Sequence, residues 1–295
     1  MSTIDSGLSA WKMRSNHNRM IDLQFGTGVV KQNGVEIAYF GSSAFRITSP
    51  TGVSIMVDPW RNHPAGGRDW FFNDFPLTAV DIGVSTHAHY DHDALHRLDA
   101  NVSLDRLIGT YTFSDVTIHG IADKHSSDNC CSLYDYKLVM KELHGVDILP
   151  PDNPRSWDNC LIVIETGGLR IVHWGDNRSD PPEAVWRQLG RIDIALLPVD
   201  DSEHVMGFEG VANIMNRLQP RIVIPHHYYI WDMTLRQSTL LKADKWIGRQ
   251  QNVTYLQDAR AIYKVDSLAN AGTAIHFFGD SVLFDKQKWR DGELA

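Results

Sequence analysis

The chain has 295 residues, which is close to the upper end of what one hydrophobic core organises, so it can fold without disulfides or an obligatory partner. With 43% apolar and 22% charged residues it has the composition of a globular protein, and its formal net charge of -8 argues against a non-specific nucleic-acid binder. No apolar run is long enough to predict a membrane span, and no signal peptide is visible at the start. Three cysteines without zinc-ribbon spacing fit a reducing compartment, so we expect a cytoplasmic protein.

Short runs rich in β-branched residues predict most of the regular structure. Residues 1–33 are polar and weakly periodic, so they are treated as an N-terminal extension before a single domain over residues 34–295. The predicted strands are Val35–Phe40, Ala44–Ile47, Val53–Val57, Val80–Ser85, Val116–Ile118, Leu161–Ile164, Leu169–Val172, Ile192–Leu197 and Arg221–Ile224. Helical patterns lie between some of them, at Asp93–Leu98, Pro182–Leu189, Gly210–Leu218 and Leu235–Ile247. Strands mixed with helices predict a layered α/β protein.

A weak internal repeat indicates how the strands are arranged. Residues 44–58 predict a hairpin that ends in Asp58, and an apolar strand beginning Val-Asp-Ile follows at Val80. Residues 160–176 repeat this order, with a hairpin ending in Asp176 and a strand beginning Ile-Asp-Ile at Ile192. Two related β-rich halves suggest two sheets packed face to face, with the polar residues at their strand ends meeting along one edge.

The densest chemical motif follows the predicted strand Val80–Ser85. Four candidate metal ligands lie within six residues, namely His87, His89, Asp91 and His92. Because successive side chains of a strand alternate between its faces, His87 and His89 are expected to point the same way. Imidazole and carboxylate donors suit Zn²⁺, Fe²⁺ or Mn²⁺. A solvated polar loop is a poor alternative for so dense a pattern, and the motif therefore predicts a metal site.

Further candidate ligands follow other predicted strands. Asp176 comes after the strand Leu169–Val172, next to Gly175, which permits a close backbone approach. His125, His226 and His227 also follow apolar strands, and open sheets place their sites past the carboxyl ends of strands. Taken singly, Asp176 has a helix cap as its alternative and His125 a surface histidine. Taken with the His-rich cluster, they predict a second set of ligands.

These residues together resemble the metallo-β-lactamase-fold metallohydrolase superfamily. Its pattern is an Asp after a strand, H-x-H-x-D-H, a separate His, an Asp and a final His. The chain is most similar to the ascorbate-6-phosphate lactonase-like and small metal-dependent hydrolase branches, through Gly41–Ile47, Met56–Trp60, Ile192–Pro198, Met206–Glu209 and Ile224–Tyr228. The resemblance covers about residues 35–230 and implies an α/β fold, a four-layer αββα sandwich of two related halves.

The resemblance also implies two divalent metal ions, with zinc the expected metal and manganese or iron as alternatives. One ion would be held by His87, His89 and His125 and the other by Asp91, His92 and His227, with Asp176 bridging both. His227 is preferred to His226 because a tyrosine, Tyr228, follows it as in the family pattern. His144 and His173 are alternatives to His125 as the third ligand of the first ion.

Other residues are expected behind or beside the ligands. The resemblance implies that Asp58 supports the metal ligands without binding a metal itself, and we expect the same role for Asn177 and His226. Two positions depart from the family pattern: Ser42 stands where many relatives have His, and Asn177 replaces the usual Thr or Ser. Both departures bear on the substrate, and Asn177 could itself reach a metal or a substrate oxygen.

The expected activity is that of a dinuclear hydrolase. Two ions about 3.5–4 Å apart can share a hydroxide, because metal binding lowers the pKa of water toward ~7. The hydroxide would cleave an ester, lactone or phosphodiester of a small molecule, with Asp91 orienting it and His204 facing the substrate. A solvated loop histidine is the alternative for His204. The competing function is a metal-dependent oxidoreductase of the iron sulfur dioxygenase type, and a homo-oligomeric state is left open.

Overall fold

Two β-sheets are the main regular structure in the described part of the chain. The computed structural model describes residue 23 and residues 30–62, 69–126, 158–235, 240–268 and 272–294. The strands are β1 (Val35–Tyr39), β2 (Phe45–Thr48), β3 (Ser54–Val57), β4 (Thr78–Ser85), β5 (Leu98–Asp105), β6 (Gly109–Phe113), β7 (Val116–Asp123), β8 (Asn159–Thr166), β9 (Leu169–His173), β10 (Ile194–Pro198), β11 (Ile222–His226), β12 (Val253–Tyr255), β13 (Arg260–Tyr263) and β14 (Ala274–Phe277). One sheet has the order β13-β1-β2-β3-β4-β5, and the other β12-β14-β11-β10-β9-β8-β7-β6.

The internal repeat of the sequence is a repeat of strand topology. In the first half, β1, β2 and β3 pair antiparallel in turn, and β3, β4 and β5 pair parallel. In the second half, β7, β8 and β9 pair antiparallel in turn, and β9, β10 and β11 pair parallel. The prediction of two related halves in an α/β fold is therefore confirmed, and the repeat spans five strands in each half.

Side chains of the two sheets meet in one core. In β2, Phe45 and Ile47 are buried and alternate with half-buried residues, as expected for a strand with one face on the core. The ring of Phe45 lies edge-on to two histidines of the other sheet, His173 and His226, with ring centroids 5.9 Å apart in both pairs. The sheets thus pack face to face, directly beneath the strand ends that carry the candidate ligands.

Helices cover the parallel centre of the eight-stranded sheet. Strands β10 and β11 are buried at every position, which requires cover on both faces. Helix α1 (Glu183–Leu189) buries Trp186 against Trp174, which follows β9, and helix α2 (Phe208–Leu218) buries Val211 and Ile214. Two shorter helices, α3 (Asp244–Ile247) and α4 (Lys286–Arg290), follow later in the chain.

Two predicted helices are wrong in extent. The segment Asp93–Leu98 contains only a 3₁₀ turn, Leu95–Arg97, because Leu98 already begins β5 and pairs with β4. The predicted helix Leu235–Ile247 is reduced to α3, since residues 240–243 are not helical and residues 236–239 lie outside the described part. His144 and all but residues 23 and 30–33 of the predicted N-terminal extension also lie outside it. Among the described residues, no helix combines the length and apolarity needed to cross a membrane.

Candidate metal centre

Seven candidate ligands meet at the carboxyl ends of strands from both sheets. They form two groups, the first comprising His87, His89, His125 and Asp176 and the second Asp91, His92 and His227. Within each group, one ligand atom per residue lies within 4.8 Å of all the others. The H-x-H-x-D-H residues follow β4, His125 follows β7, Asp176 follows β9 and His227 follows β11. The topology therefore brings residues up to 140 positions apart into one cluster.

The carboxylate of Asp176 lies between the two groups. Its Oδ2 is 3.8 Å from His87 Nε2 and 3.4 Å from His125 Nε2 in the first group. Toward the second group, Oδ2 is 3.5 Å from His227 Nε2, and Oδ1 is 3.4 Å from His92 Nε2. A carboxylate with an oxygen near each of two ligand sets is suited to bridging two cations.

Asp58 orients two of the histidines through their other ring nitrogen. Its Oδ2 accepts a hydrogen bond from His92 Nδ1 at 2.8 Å and another from the Thr86 hydroxyl at 2.8 Å. Because that hydroxyl donates to Asp58, it accepts from His87 Nδ1, 3.0 Å away. In their neutral forms both imidazoles therefore carry the proton on Nδ1 and present the lone pair of Nε2 to the cluster, which is the arrangement that carboxylate–histidine–metal sites use.

The donor set fits metal ions. The Nε2 atoms of His87, His92 and His227 are buried and have no hydrogen-bond partner among the described residues, and the same holds for Asp176 Oδ1. Buried polar atoms are rarely left without partners, because their lost hydration is costly. Nitrogen and carboxylate atoms that converge in this way match the ligands of Zn²⁺ and related divalent ions.

Burial and charge set the protonation of the ligands. Burial lowers the pKa of His87 well below its ordinary value. Burial, together with the nearby His125, lowers the pKa of His89 to about 4. Both rings are therefore neutral at pH 7 and able to coordinate a metal ion. For His92, burial acts in the same direction, but the carboxylates around it prevail and raise its pKa well above the ordinary value. Burial disfavours the charged form of Asp176, yet the flanking imidazoles keep its pKa well below the usual range. Protons and cations therefore compete for His92.

The comparisons with known proteins agree with this geometry. A family model described as a beta-lactamase superfamily domain matches residues 36–227, well over half of the chain, and all seven candidate ligands fall within that range. The chain belongs to the beta-lactamase superfamily. Two relatives named UPF0173 metal-dependent hydrolase are similar to it. The one from Thermodesulfovibrio yellowstonii is 24% identical, and the match covers 76% of this chain and 88% of the relative. The one from Pyrococcus furiosus is 26% identical, and the match covers 77% of this chain and 99% of the relative.

A solved structure shows the same fold. A crystal structure of a metallo-beta-lactamase superfamily protein from Thermotoga maritima superposes with a TM-score of 0.57 at 20% identity, covering 82% of this chain and 98% of that one. The predicted superfamily and fold class are confirmed. The matched relatives do not distinguish the lactonase-like branch within the superfamily.

Two further histidines of this beta-lactamase superfamily chain are buried, His173 and His226. The sequence offered His173 as an alternative third ligand of the first ion and His226 as a support for the ligands. His173 accepts a hydrogen bond on Nδ1 from the Gly175 backbone N–H at 3.1 Å and donates from Nε2 to the Ser43 carbonyl at 2.8 Å. Since both ring nitrogens are engaged, His173 is not available as the third ligand. His226 stacks on His173 with ring centroids 4.8 Å apart, and its Nδ1 lies 3.1 Å from Ser43 Oγ. His226 is therefore held by His173 and Ser43, and its supporting role for the ligands stays a prediction.

The side chain of Asn177 is engaged within the protein. Its amide donates to Asp123 at 2.8 Å and accepts from Asn159 at 3.0 Å, so it does not reach the candidate metal positions. Its backbone instead forms a β-bridge with His125. We therefore do not expect the Asn177 side chain to contact a metal. Its contribution would be indirect, through the backbone pairing of Asn177 with His125.

The open side of the centre carries His89, Asp91, His125 and His204, which are half-buried, whereas His87, His92 and His227 are buried. The ring of His204 lies parallel to that of His227, with an angle of 4° and centroids 6.0 Å apart. The loop that carries His204 is fixed by the buried Asp200, whose carboxylate accepts from the backbone N–H groups of Ser202 and His204. His204 is therefore beside the second group of ligands, at the side that a substrate can approach.

The sequence analysis did not single out two residues that contact the histidines and Asp58. Thr86 connects Asp58 to His87, and Ser43 contacts both His173 and His226. Thr86 stands directly before the first histidine of the H-x-H-x-D-H motif, which is the only local signal that pointed to it. For Ser43 there was no local signal, because its partners are 130 and 183 residues away in the chain.

Gly175 gives the first testable prediction for the centre. A Cβ on this residue would lie 2.7 Å from Thr86 Oγ1, and its φ of +54° is unfavourable for any residue with a side chain. We expect Gly175→Ala to displace the Thr86 hydroxyl and weaken metal binding, measured by competition with a chelator. Gly190→Ala is the matched control, since Gly190 has a φ of +61° but open space around it. Equal metal affinity in the two variants would contradict the proposed connection through Thr86.

Proposed function

We propose that this chain is a dinuclear metal-dependent hydrolase that cleaves an ester, lactone or phosphodiester bond of a small molecule. The observation that carries the proposal is the position of Asp176 between two complete sets of ligand atoms. The name of the matched relatives, metal-dependent hydrolase, supports the general class of reaction. The substrate classes come from the resemblance to the lactonase-like branch and are part of the proposal.

Two divalent ions, with zinc the expected metal, would be held as the two groups suggest. His87, His89 and His125 would bind one ion, Asp91, His92 and His227 the other, and Asp176 would contact both. When bound, such ions lower the pKa of water and stabilise negative charge on the oxygen of the bond that is cleaved. Asp58 would serve this arrangement by fixing the Nδ1 side of His87 and His92, so that Nε2 of each ring stays available to the ions.

Asp91 is the proposed proton acceptor. Burial disfavours its charged form, but the nearby imidazoles of His92 and His227 prevail and lower its pKa, so it is ionised at neutral pH. Its Oδ2 lies 3.3 Å from His227 Nε2, and its half-buried position leaves it open toward the solvent side. An ionised carboxylate at this place can orient the attacking water by accepting a hydrogen bond and can pass the proton to the leaving group.

His204 is the proposed substrate-positioning residue. Burial, followed by the charge of His227, lowers its pKa to about 4, so the ring is neutral at pH 7. A neutral imidazole offers one donor and one acceptor, and can therefore bind an oxygen of an ester, lactone or phosphate without adding charge. The cytoplasmic location, like the small-molecule substrate, remains part of this proposal.

Metal removal and a substrate panel test the proposed function. We expect the purified chain to hold about two zinc or manganese ions and to hydrolyse at least one of three chromogenic probes, an ester, a lactone or bis(p-nitrophenyl) phosphate. Hydrolysis should stop after treatment with a chelator and return when metal is added back. One iron per chain with oxygen uptake would favour the oxidoreductase instead. Hydrolysis that persists in the metal-free chain would contradict the proposal.

A further inference from the structure

An ion pair between a buried aspartate and a half-buried arginine lies beside the first group of ligands. Asp123, the last residue of β7, has a side chain that is only 2% exposed, and it accepts hydrogen bonds from the guanidinium of Arg178. Arg178 Nη2 is 2.6 Å and Nε is 3.1 Å from Asp123 Oδ1, with Nε also 3.2 Å from Oδ2. Such two-pronged pairing fixes the orientation of both side chains as well as their separation.

The pair extends into a small network that includes Asn177. Asp123 Oδ2 accepts from the Asn177 amide at 2.8 Å, and Asn177 Oδ1 accepts from Asn159 at 3.0 Å. Asn159 is the residue opposite Asp123 in the β7–β8 ladder. The network therefore connects the end of one strand pair to the loop that follows β9. An aspartate suits its centre, because three N–H donors converge on its two oxygens.

The two segments joined by this network each carry a candidate ligand. Residues 123–126 contain His125 and residues 176–178 begin with Asp176. Their backbones run side by side, with a β-bridge between His125 and Asn177 and a hydrogen bond of 2.7 Å from the Ser126 N–H to the Asp176 carbonyl. A second hydrogen bond, 3.1 Å long, runs from the Arg178 N–H to the Lys124 carbonyl. The separation of His125 and Asp176 is thus set where these segments are joined.

We propose that Asp123, through Arg178 and Asn177, is a positioning residue that keeps His125 and Asp176 at the spacing required by the first metal ion. The proposal rests on the proposed dinuclear function. It assigns the network mainly to the first site, because among the described residues its contacts reach the segments of His125, which belongs to the first group alone, and of Asp176, which is shared. Groups that orient metal ligands commonly change metal affinity by about 10- to 100-fold when they are replaced.

The test uses Asp123→Asn in two backgrounds that each retain one site. In His227→Ala the remaining ion reports on the first group, and in His125→Ala it reports on the second. Cobalt(II) affinity is measured by competition with a chelator, together with the visible absorption spectrum of the bound ion. We expect Asp123→Asn to lower the affinity by about 10- to 100-fold and to change the spectrum in the first background. A clearly smaller loss is expected in the second background, where the network acts only through the shared Asp176.

Two further variants keep the test decisive. Asp105→Asn breaks an exposed pair with Arg106 that has the same two-pronged geometry, and it should leave both affinities unchanged. If Asp123→Asn does not fold, Arg178→Lys retains the charge and removes the two-pronged contact, with a smaller loss expected at the same site. Equal losses in both backgrounds, or no loss in either, would overturn the proposal while leaving the dinuclear function in place. A wild-type chain that binds no metal would overturn both.

Discussion

Replacing Asp176 with alanine is expected to abolish hydrolysis, with a loss of more than about 100-fold, and to remove metal from both sites. The side chain lies within 3.8 Å of His87, His125, His92 and His227, so it contacts both groups of ligands. Replacing a residue that only orients metal ligands typically lowers metal affinity by about 10- to 100-fold. The loss on replacing a ligand shared by both ions should be larger than that. Metal content and the rate of hydrolysis are measured on the same preparation.

Asp193→Ala is the control for Asp176→Ala. Asp193 is also a buried aspartate of the eight-stranded sheet, but it precedes β10 and accepts hydrogen bonds at the opposite end from the metal centre. We expect this variant to keep both ions and its turnover, whatever it loses in thermal stability. Circular dichroism should show that Asp176→Ala keeps the fold. Retention of a tenth of the wild-type activity in Asp176→Ala would contradict its assignment as the shared ligand.

Replacing Asp58 with alanine should reduce both metal affinity and stability. The substitution leaves three buried donors without their acceptor: the backbone N–H and hydroxyl of Thr86 and the Nδ1–H of His92. Removing one partner of a buried charged interaction typically costs about 3–5 kcal/mol in the free energy of unfolding. Metal affinity should fall by about 10- to 100-fold, because His87 and His92 lose the contacts that direct their Nε2 atoms.

Urea unfolding of the metal-free chain separates the two effects of Asp58→Ala. Asp58→Asn is the matched variant, since the amide keeps one acceptor oxygen but directs its NH₂ group at a donor. We expect its unfolding free energy and metal affinity to lie between those of the wild type and of Asp58→Ala. If Asp58→Ala binds metal as tightly as the wild type, the histidines do not depend on Asp58 for their orientation.

The backbone around the centre shows why the site depends on the whole fold. Asp58 and His227 both have positive φ values, 52° and 60°, which residues with side chains rarely adopt. The His227 N–H donates to the carbonyl of Ser42 at 2.9 Å, and the Asp58 N–H donates to that of Val84 at 2.9 Å. Such strain persists only where surrounding contacts enforce it, and it is frequent at functional sites.

The ligand set was accessible to sequence analysis because its signals are local. Each candidate ligand follows an apolar strand, and the H-x-H-x-D-H motif concentrates four of them in one loop. The supporting residues were not accessible in the same way. Asp123 and Arg178 are 55 positions apart, and only the pairing of β7, β8 and β9 brings them together. Contacts of that kind follow from tertiary structure and leave no periodic pattern in the chain.

The sequence analysis did not predict strand β5, and the reason is different. Its sequence, LDANVSLD, alternates apolar and polar residues, and Leu98, Ala100, Val102 and Leu104 pack against the core. That period of two is the signal of a half-buried strand. The helical pattern assigned to Asp93–Leu98 obscured it, because Asp and Asn are poor strand formers and the segment lacks a β-branched run. Pairing with β4 supplies the stabilisation that the local sequence does not.

Crystals of the zinc-loaded wild-type chain, with anomalous scattering measured at the zinc absorption edge, test the central claim most directly. The account predicts two peaks, one contacted by His87, His89 and His125 and the other by Asp91, His92 and His227, with Asp176 touching both. A single peak, or peaks remote from Asp176, would contradict it.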